Sequence, residues 1–431
     1  MVAVMRELKD SGASWVGSIP SHWDVGRINS FYTLRNTKVS DVDYPPLSVT
    51  KEGILPQLET AAKTNAHDDR KLVRKGDFAI NSRSDRRGSC GISPYDGSVS
   101  LINTILEPKG EMDPEYYDWL FHTTQFADEF YKWGHGIVDD LWTTNYQDMK
   151  KINIPVPPLA EQHVIAAYLN NQCAEIDALS TDIKSELDTL EAYKRSVITE
   201  AVTKGLDKNA PMKDSGINGI GKIPEDFIPS RLKYIVDIYG RIGFRGYTQQ
   251  DLVGEGEGPI TLSPSNLKDM RMEYDKCSYL TWEKYYESPE IQIENGDILF
   301  VKTGSSYGKN CYVTDLPMES TINPQLVVFK NIRVNAKWLS YFLQTKHIEN
   351  LSELAVIGAT IPTMSQEKIG NFSIVVPPIE KQQSIATFLD SKCVEIETII
   401  AQKREQLAVL SDYKKSVIYE YVTGKKEVPA A

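Results

Sequence analysis

Ile154-Pro155-Val156-Pro157-Pro158-Leu159-Ala160-Glu161-Gln162 returns as Ile374-Val375-Val376-Pro377-Pro378-Ile379-Glu380-Lys381-Gln382, 220 residues further on. The likeness continues in one register. Between residues 152–203 and 372–423, 21 of 52 positions are identical, including Gln162/Gln382, Cys173/Cys393 and Tyr193-Lys194/Tyr413-Lys414. Chance similarity does not hold one register over such a span, so the chain is internally duplicated. Proline is tolerated at a helix start and disfavours helix before it, so a helix is expected after each Pro-Pro pair.

The first copy reads as a short amphipathic segment, Ala160 to Asn171, followed by a longer helix, roughly Ala174 to Lys204. Apolar residues at Ile176, Leu179, Ile183, Leu190, Tyr193 and Val197 recur at a 3-4 spacing, with Leu187 one place off the stripe. The second copy offers Ile396, Ile399, Leu410, Tyr413 and Val417, interrupted by Lys403 and Gln406. Each could be an ordinary surface helix on its own domain. Two matching seams in one chain pair more economically with each other, and pseudo-two-fold pairing makes them antiparallel. A helix of about 31 residues would be roughly 45 Å long at ~1.5 Å per residue.

Working outward, Asp10-Ser11-Gly12, Gly17 and Ile19-Pro20 return as Asp214-Ser215-Gly216, Gly221 and Ile223-Pro224, a shift of 204. Lys75-Gly76-Asp77 and Ile102-Asn103 match Asn295-Gly296-Asp297 and Ile322-Asn323 at a shift of 220, so the second half carries 16 extra residues in between. The second opening is degenerate, with Gly219 and Phe227 where the first has Trp15 and Trp23. Short β-prone runs around each Gly-Asp turn read as strands. Leu101 to Leu106 and Leu326 to Phe329 add strands, and Tyr116 to Phe121 and Lys337 to Leu343 read as helices with Trp119 and Trp338 in the core. Each middle is a mixed α/β globule of ordinary domain size.

The 431 residues allow two or three domains. No stretch approaches the ~18 apolar residues of a membrane span. The first ten residues lack a signal peptide's apolar core, so a cytoplasmic protein with no membrane partner is expected. Five cysteines (Cys90, Cys173, Cys277, Cys311, Cys393), none in a Cys-x-x-Cys pair, argue against a disulfide framework or a zinc site. The net charge of -11 is an average over faces and leaves room for a local basic surface.

Asp-Ser-Gly-x(4)-Gly-x-Ile-Pro opening each half, the Gly-Asp turn, and the two Pro-Pro stretches, in duplicate and in order, resemble the specificity subunit of type I restriction–modification systems. The resemblance covers nearly the whole chain. It implies an α/β mixed (α+β) fold: two globular target recognition domains separated by an antiparallel coiled coil of two long helices, in a pseudo-two-fold repeat. The expected boundaries are an N-terminal segment 1–23, target recognition domains 24–172 and 228–392, spacer helices 173–204 and 393–425, and a linker 205–227. Each globule would read half of a split site in double-stranded DNA. The helices would set the gap, about thirteen base pairs from their length at ~3.4 Å each. They would also dock two methyltransferase subunits, with restriction/translocase subunits joining. Methyl transfer and cleavage would belong to those partners, with no cofactor in this chain.

Candidate DNA contacts follow the Gly-Asp strand. The first half has Asn81-Ser82-Arg83-Ser84-Asp85-Arg86-Arg87-Gly88-Ser89, and residues 68–90 hold seven basic and four acidic side chains, a net of +3. Arginine forks onto guanine or phosphate, and serine suits either. Arg83, Ser84, Arg86, Arg87 and Ser89 are the candidates there. The second half offers Lys302, Thr303, Ser305, Ser306, Tyr307 and Lys309. Arg241, Arg245, Tyr247 and Gln249 form a further group, with Arg35 and Lys38 as its counterpart. A third loop precedes each Pro-Pro: Gly134 to Trp142, and Gly358 to Thr363 with Thr360.

No catalytic motif is complete. Val156-Pro157-Pro158-Leu159 lacks the amide and ring of an adenine methyltransferase loop. Gly304-Ser305-Ser306-Tyr307-Gly308-Lys309 is one residue short of a phosphate loop, and Asn310 replaces its Ser/Thr. Asp182-Ile183-Lys184 has nuclease-like spacing but lies in the predicted helix. The alternative is a non-catalytic scaffold binding protein or small ligands, which predicts no salt-dependent DNA affinity.

Overall fold

A computed structural model of the chain describes residues 7–57, 69–136, 142–241, 243–268, 271–356 and 361–429. The chain forms two units, Met1–Lys184 with Arg404–Ala431, and Ser185–Lys403.

In each unit a four-stranded antiparallel sheet is the centre. The first orders its strands Cys90–Ile92, Phe78–Asn81, Asn103–Pro108, Tyr32–Arg35; the second, in the same order, Asn310–Tyr312, Ile298–Val301, Leu326–Lys330, Asp237–Tyr239. Side chains alternate faces along a strand. Phe78 and Ile80 enter one core while Ala79 enters another. Ile298 and Phe300 likewise face one core and Leu299 and Val301 the other. Both faces of the central sheet are thus covered. One side takes short helices, Pro114–Phe121 and Thr124–Lys132 in the first unit, Ala336–Phe342 and Lys346–Ala355 in the second. The other side takes a further sheet, which is where the halves diverge: three strands in the first unit and five in the second. The added strands, Leu252–Val253 and Ser278–Leu280, lie in the region of the extra residues.

The opening turns match closely. Gly12 and Gly216 both sit at φ +67, a left-handed conformation that glycine adopts without cost. The Asp10 and Asp214 carboxylates accept from their amides. Trp23 and Phe227 are both fully buried, so the second opening keeps an aromatic core anchor.

Each Pro-Pro pair starts a single long helix, Leu159–Lys204 (46 residues) and Ile379–Val422 (44 residues). The expected break near residue 172 is absent. Asn171, Gln172 and Cys173 contain no breaker, and the buried stripe runs on through Ala166, Leu169, Cys173 and Ile176. The 31-residue length was therefore an underestimate of the helix. Continued at the same 3-4 spacing, the seam holds Ser180, Ile183, Leu187, Leu190, Lys194 and Val197, and in the second copy Ile396, Ile400, Lys403, Leu407, Leu410, Lys414 and Val417. Leu187 thus belongs to the seam. Leu179, Tyr193, Ile399 and Tyr413 stand one position off it, 36% to 51% exposed. The apolar pattern misplaced them because the true seam positions beside Leu179, Tyr193 and Tyr413 are Ser180, whose hydroxyl donates to Ile176 O, and Lys194 and Lys414, which bury their stems while keeping charged ends.

Within the first unit Tyr168 meets Tyr421 and Asp177 meets Lys414. Within the second, Glu186 meets Lys403 and Lys194 meets Glu397. Residue numbers rise along one helix as they fall along the other, so the helices pair antiparallel. Asp177–Lys414 and Glu397–Lys194 are the same ion pair made once in each unit, since each residue lies 220 positions from its counterpart.

Candidate nucleic-acid interface

In the first unit the strands Phe78–Asn81 and Cys90–Ile92 form a hairpin in register Ile80↔Cys90. Its connection, Ser82 to Ser89, is stiffened by a 3-10 turn over Ser84–Arg86 and closed by Gly88 at φ +77. The Asn81 side chain accepts from the Arg83 amide at 3.1 Å. The segment before the Pro-Pro stretch lies alongside. Ser84 N donates to Trp142 O at 3.1 Å and Thr144 N to Ser82 O at 3.0 Å, while His135 and Thr143 exchange both backbone bonds at 3.0 Å. The second unit repeats this arrangement. Lys302 to Lys309 connects Ile298–Val301 to Asn310–Tyr312, with Gly304 at φ +102 and Gly308 at φ +84. Gly304 N donates to Pro362 O at 3.0 Å and Met364 N to Lys302 O at 2.9 Å. The Thr303 and Thr363 hydroxyls share a 2.7 Å bond. The first and third loops expected from sequence are therefore neighbours in both units. Backbone groups hold them together, so the side chains can differ without loosening the frame.

The individual residues divide into exposed and occupied. Arg83, Arg86 and Arg87 are exposed, as are Ser305 and Lys309. Arg87 pairs with Asp128 and lies over the Tyr131 ring at 5.7 Å. Ser84, Thr303 and Ser306 are half-buried at the loop bases, and Tyr307 packs against the apolar core. Burial pushes the Lys302 ammonium below its ordinary pKa. Gln249 is exposed. Lys38 is exposed and pairs with Asp69 at 2.6 Å.

Three candidates serve the fold instead. Ser89 is buried, and its backbone closes the hairpin loop, donating to Arg86 O and accepting from Asn81 N. Arg35 forks onto Asp77 at 2.6 and 3.1 Å and reaches Glu107 at 3.0 Å. Its guanidinium holds the buried Gly-Asp turn, and those carboxylates raise its own pKa. Arg241 is only 5% exposed and donates to Ile322 O and Thr321 Oγ1, both at 3.2 Å. Tyr247 lies under Arg241 at 5.2 Å, and Arg245 reaches Glu290 at 3.4 Å. Part of the basic cluster is structural too, since the buried Arg70 donates to Ser98 Oγ and O at 2.8 Å. Spacing alone cannot separate an arginine that braces a strand from one that faces solvent. Thr360 and much of the third loop, with Ile137, Val138, Asp139, Asp140, Leu141, Gly358 and Ala359, lie outside the described residues.

The sequence reading missed Thr143 and gave no role to Gln162 and Gln382. Gln162 accepts from Asp113 N and donates to Pro157 O, and Gln382 accepts from Asn335 N and donates to Pro377 O. Their identity in both copies was the available signal. A second surface arises from the off-seam residues. Leu179 and Tyr413 each precede a seam position, so the antiparallel register places them on one flank of the helix pair in the first unit; Ile399 and Tyr193 repeat this in the second. Among the described residues, no helix is long and apolar enough to cross a membrane, and no cluster of three metal-ligating side chains is present.

The two halves thus hold loops of different side chains on one shared backbone frame. The family model of the type I restriction modification DNA specificity domain matches residues 20–189 and 264–408, and the chain belongs to that family. It is 25% identical over 99% of both chains to the type I restriction enzyme MjaVIII specificity subunit of Methanocaldococcus jannaschii. A solved chain from work on complex assembly and conformational transition of the type I restriction–modification system shares its fold, with a TM-score of 0.74 at 15% identity over 95% of this chain and 99% of that one. The HsdS subunit from Thermoanaerobacter tengcongensis gives 0.51 at 17% identity, over 95% and 98%.

Proposed function

We propose that each unit reads one part of a bipartite site in double-stranded DNA, using its hairpin loop and the segment pinned beside it. The observation that carries this reading is the repeated backbone frame: Ser84–Trp142 in one unit and Gly304–Pro362 in the other hold loops of different side chains. Arg83 and Arg86 in the first unit and Ser305 and Lys309 in the second are exposed donors of those loops, while the exposed Arg87 is paired with Asp128. They reach phosphate or base edges, the arginines with a fork suited to guanine.

The paired helices set the gap between the half-sites and dock two methyltransferase subunits, one at Leu179/Tyr413 and one at Tyr193/Ile399. Two equivalent apolar flanks support two copies of one partner. Restriction/translocase subunits join that assembly in the cytoplasm, and methyl transfer and strand cleavage are the partners' chemistry.

The test is co-expression with the cognate methyltransferase followed by genome-wide mapping of methylated adenine. One asymmetric split motif is expected; modification without any split motif overturns the reading. Arg83→Ala with Arg86→Ala should relax the half-site read by the first unit, leave the other unchanged, and lower the salt dependence of binding. Seven residues added to each long helix lengthen it by about 10 Å. The gap should then widen by about three base pairs at ~3.4 Å each.

A further inference from the structure

The second unit carries an aromatic surface that neither the core nor the recognition loops use. The short helix Trp282–Tyr286 is capped by Thr281, and of its three aromatic rings only Tyr285 is buried. Trp282 is 39% and Tyr286 65% exposed, and their rings stack at 5.9 Å and 25°. Leu252, on the neighbouring edge strand Leu252–Val253, adds a third exposed apolar side chain. The strand is tied to the helix start, because Thr281 N donates to Asp251 O at 3.0 Å.

The surroundings are acidic. Glu283 and Glu287 are exposed on the same helix, and Glu255 and Glu257 are exposed in the turn after the edge strand. Residues 249–294 hold ten acidic and four basic side chains, opposite in balance to the stretch 68–90 of the first half. The helix's one cation, Lys284, is committed to Glu287 at 2.8 Å. Such a face repels duplex phosphates. Exposed Trp and Tyr are the side chains that most often anchor protein interfaces, and their ring faces attract cations. The face also has no counterpart in the sequence of the first half, which carries no tryptophan between Trp23 and Gly76.

We infer that the Trp282/Tyr286 face docks a protein partner through a segment bearing arginine or lysine, once per chain, on the second unit only. The aliphatic stem of the basic residue lies on the stacked rings and its charge meets Glu283 and Glu287. Single occurrence separates this contact from any partner that binds the duplicated helix flanks twice.

The test uses the full chain co-purified with its methyltransferase and restriction subunits on duplex DNA. With Tyr286→p-benzoylphenylalanine, irradiation should link the chain to one peptide of another protein subunit containing Lys or Arg. A link to DNA, a link only to this chain, or no link overturns the inference. Glu283→Lys with Glu287→Lys should weaken association of the linked subunit at least tenfold at low salt, and less as salt rises. Trp282→Phe should retain association, while Trp282→Ala, at an unchanged thermal midpoint, should lose it. Unaltered association in the charge-reversed protein also overturns the inference. The methylated motif should stay the same in all of these variants; a changed second half-site would assign the face to DNA and overturn it. Because the motif is read in the same samples, failure here is distinguishable from failure of the DNA-reading proposal.

Discussion

The two units solve one folding problem with different side chains. Each buries an aspartate at the Gly-Asp turn, where it accepts the backbone amide three residues before it: Arg74 N to Asp77 at 2.8 Å and Glu294 N to Asp297 at 2.9 Å. The compensating cation comes from a different strand in each, Arg35 in the first unit and Lys330 at 3.0 Å in the second. Backbone geometry is retained while its electrostatic support is rebuilt. The candidate recognition loops go further, sharing only the backbone bonds that pin them. What persists in both copies is therefore frame, and what changes is surface.

The sharpest test of a shared frame is its core. Leu169 and Leu389 are fully buried at equivalent points of the two helices. Leu169→Ala and Leu389→Ala should each cost about 2–5 kcal/mol, and by similar amounts, in urea unfolding followed by hydrogen exchange of each unit. A large inequality would mean that the two cores are not equivalent. Next come the turn cations. Arg35→Met and Lys330→Met each strand a buried carboxylate and should cost about 3 kcal/mol. Asp297→Asn should recover much of the Lys330→Met loss, because removing both charges is far milder than removing one. Burial already raises the Asp297 pKa, so the Lys330→Met protein should regain part of its stability as pH falls and that carboxyl takes a proton.

The frame was legible in the sequence because it is periodic and duplicated. The Pro-Pro starts, the opening turns, the Gly-Asp hairpins and the antiparallel pairing all left matched residues in both copies. The exact seam was not, because Ser180, Lys194 and Lys414 occupy positions that an apolar-pattern search assigns to their neighbours. The candidate recognition surface was half legible. Its loops could be located from the hairpin, but Arg35 and Arg241 look like DNA contacts until Asp77 and the Ile322 carbonyl are placed beside them. Charge composition reports how many cations exist, not which ones face solvent.

A smaller effect tests whether the units share one anchor at the helix start. Gln162 and Gln382 pin the chain to each Pro-Pro carbonyl through nearly identical bonds, 2.8 Å to Pro157 O and 2.7 Å to Pro377 O. Gln162→Ala and Gln382→Ala should each cost about 1–3 kcal/mol, since each leaves a buried proline carbonyl and a backbone amide, buried at Asp113 and half-buried at Asn335, unpaired. Equal losses in a thermal melt would support a common anchor; a loss confined to one unit would show that the second copy has found another.

The smallest predicted difference is set by pH. His347, two residues past the helix cap Thr345, is buried with Nε2 at 2.9 Å from Ser373 O. The equivalent position after Thr123 in the first unit is Gln125, which does not titrate in this range. Burial lowers the His347 pKa below its ordinary 6.5, and the bond to Ser373 offsets that only in part. Arg195, Lys204 and Lys346 line the adjoining cleft together with Glu200 and Glu349, so both signs of charge share the cleft with His347. A histidine whose folded pKa is depressed contributes stability that is complete above its unfolded pKa. That stability is lost as pH falls from about 6.5 toward the folded value, because only the unfolded chain takes up the proton there. On going from pH 7.5 to 5.5, amide protection factors, corrected for the intrinsic pH dependence of exchange, should therefore fall in Lys346–Ala355 of the second unit more than in Thr124–Lys132 of the first. His347→Gln should remove that difference. If the two helices respond alike in the unaltered protein, the asymmetry assigned to this histidine is wrong.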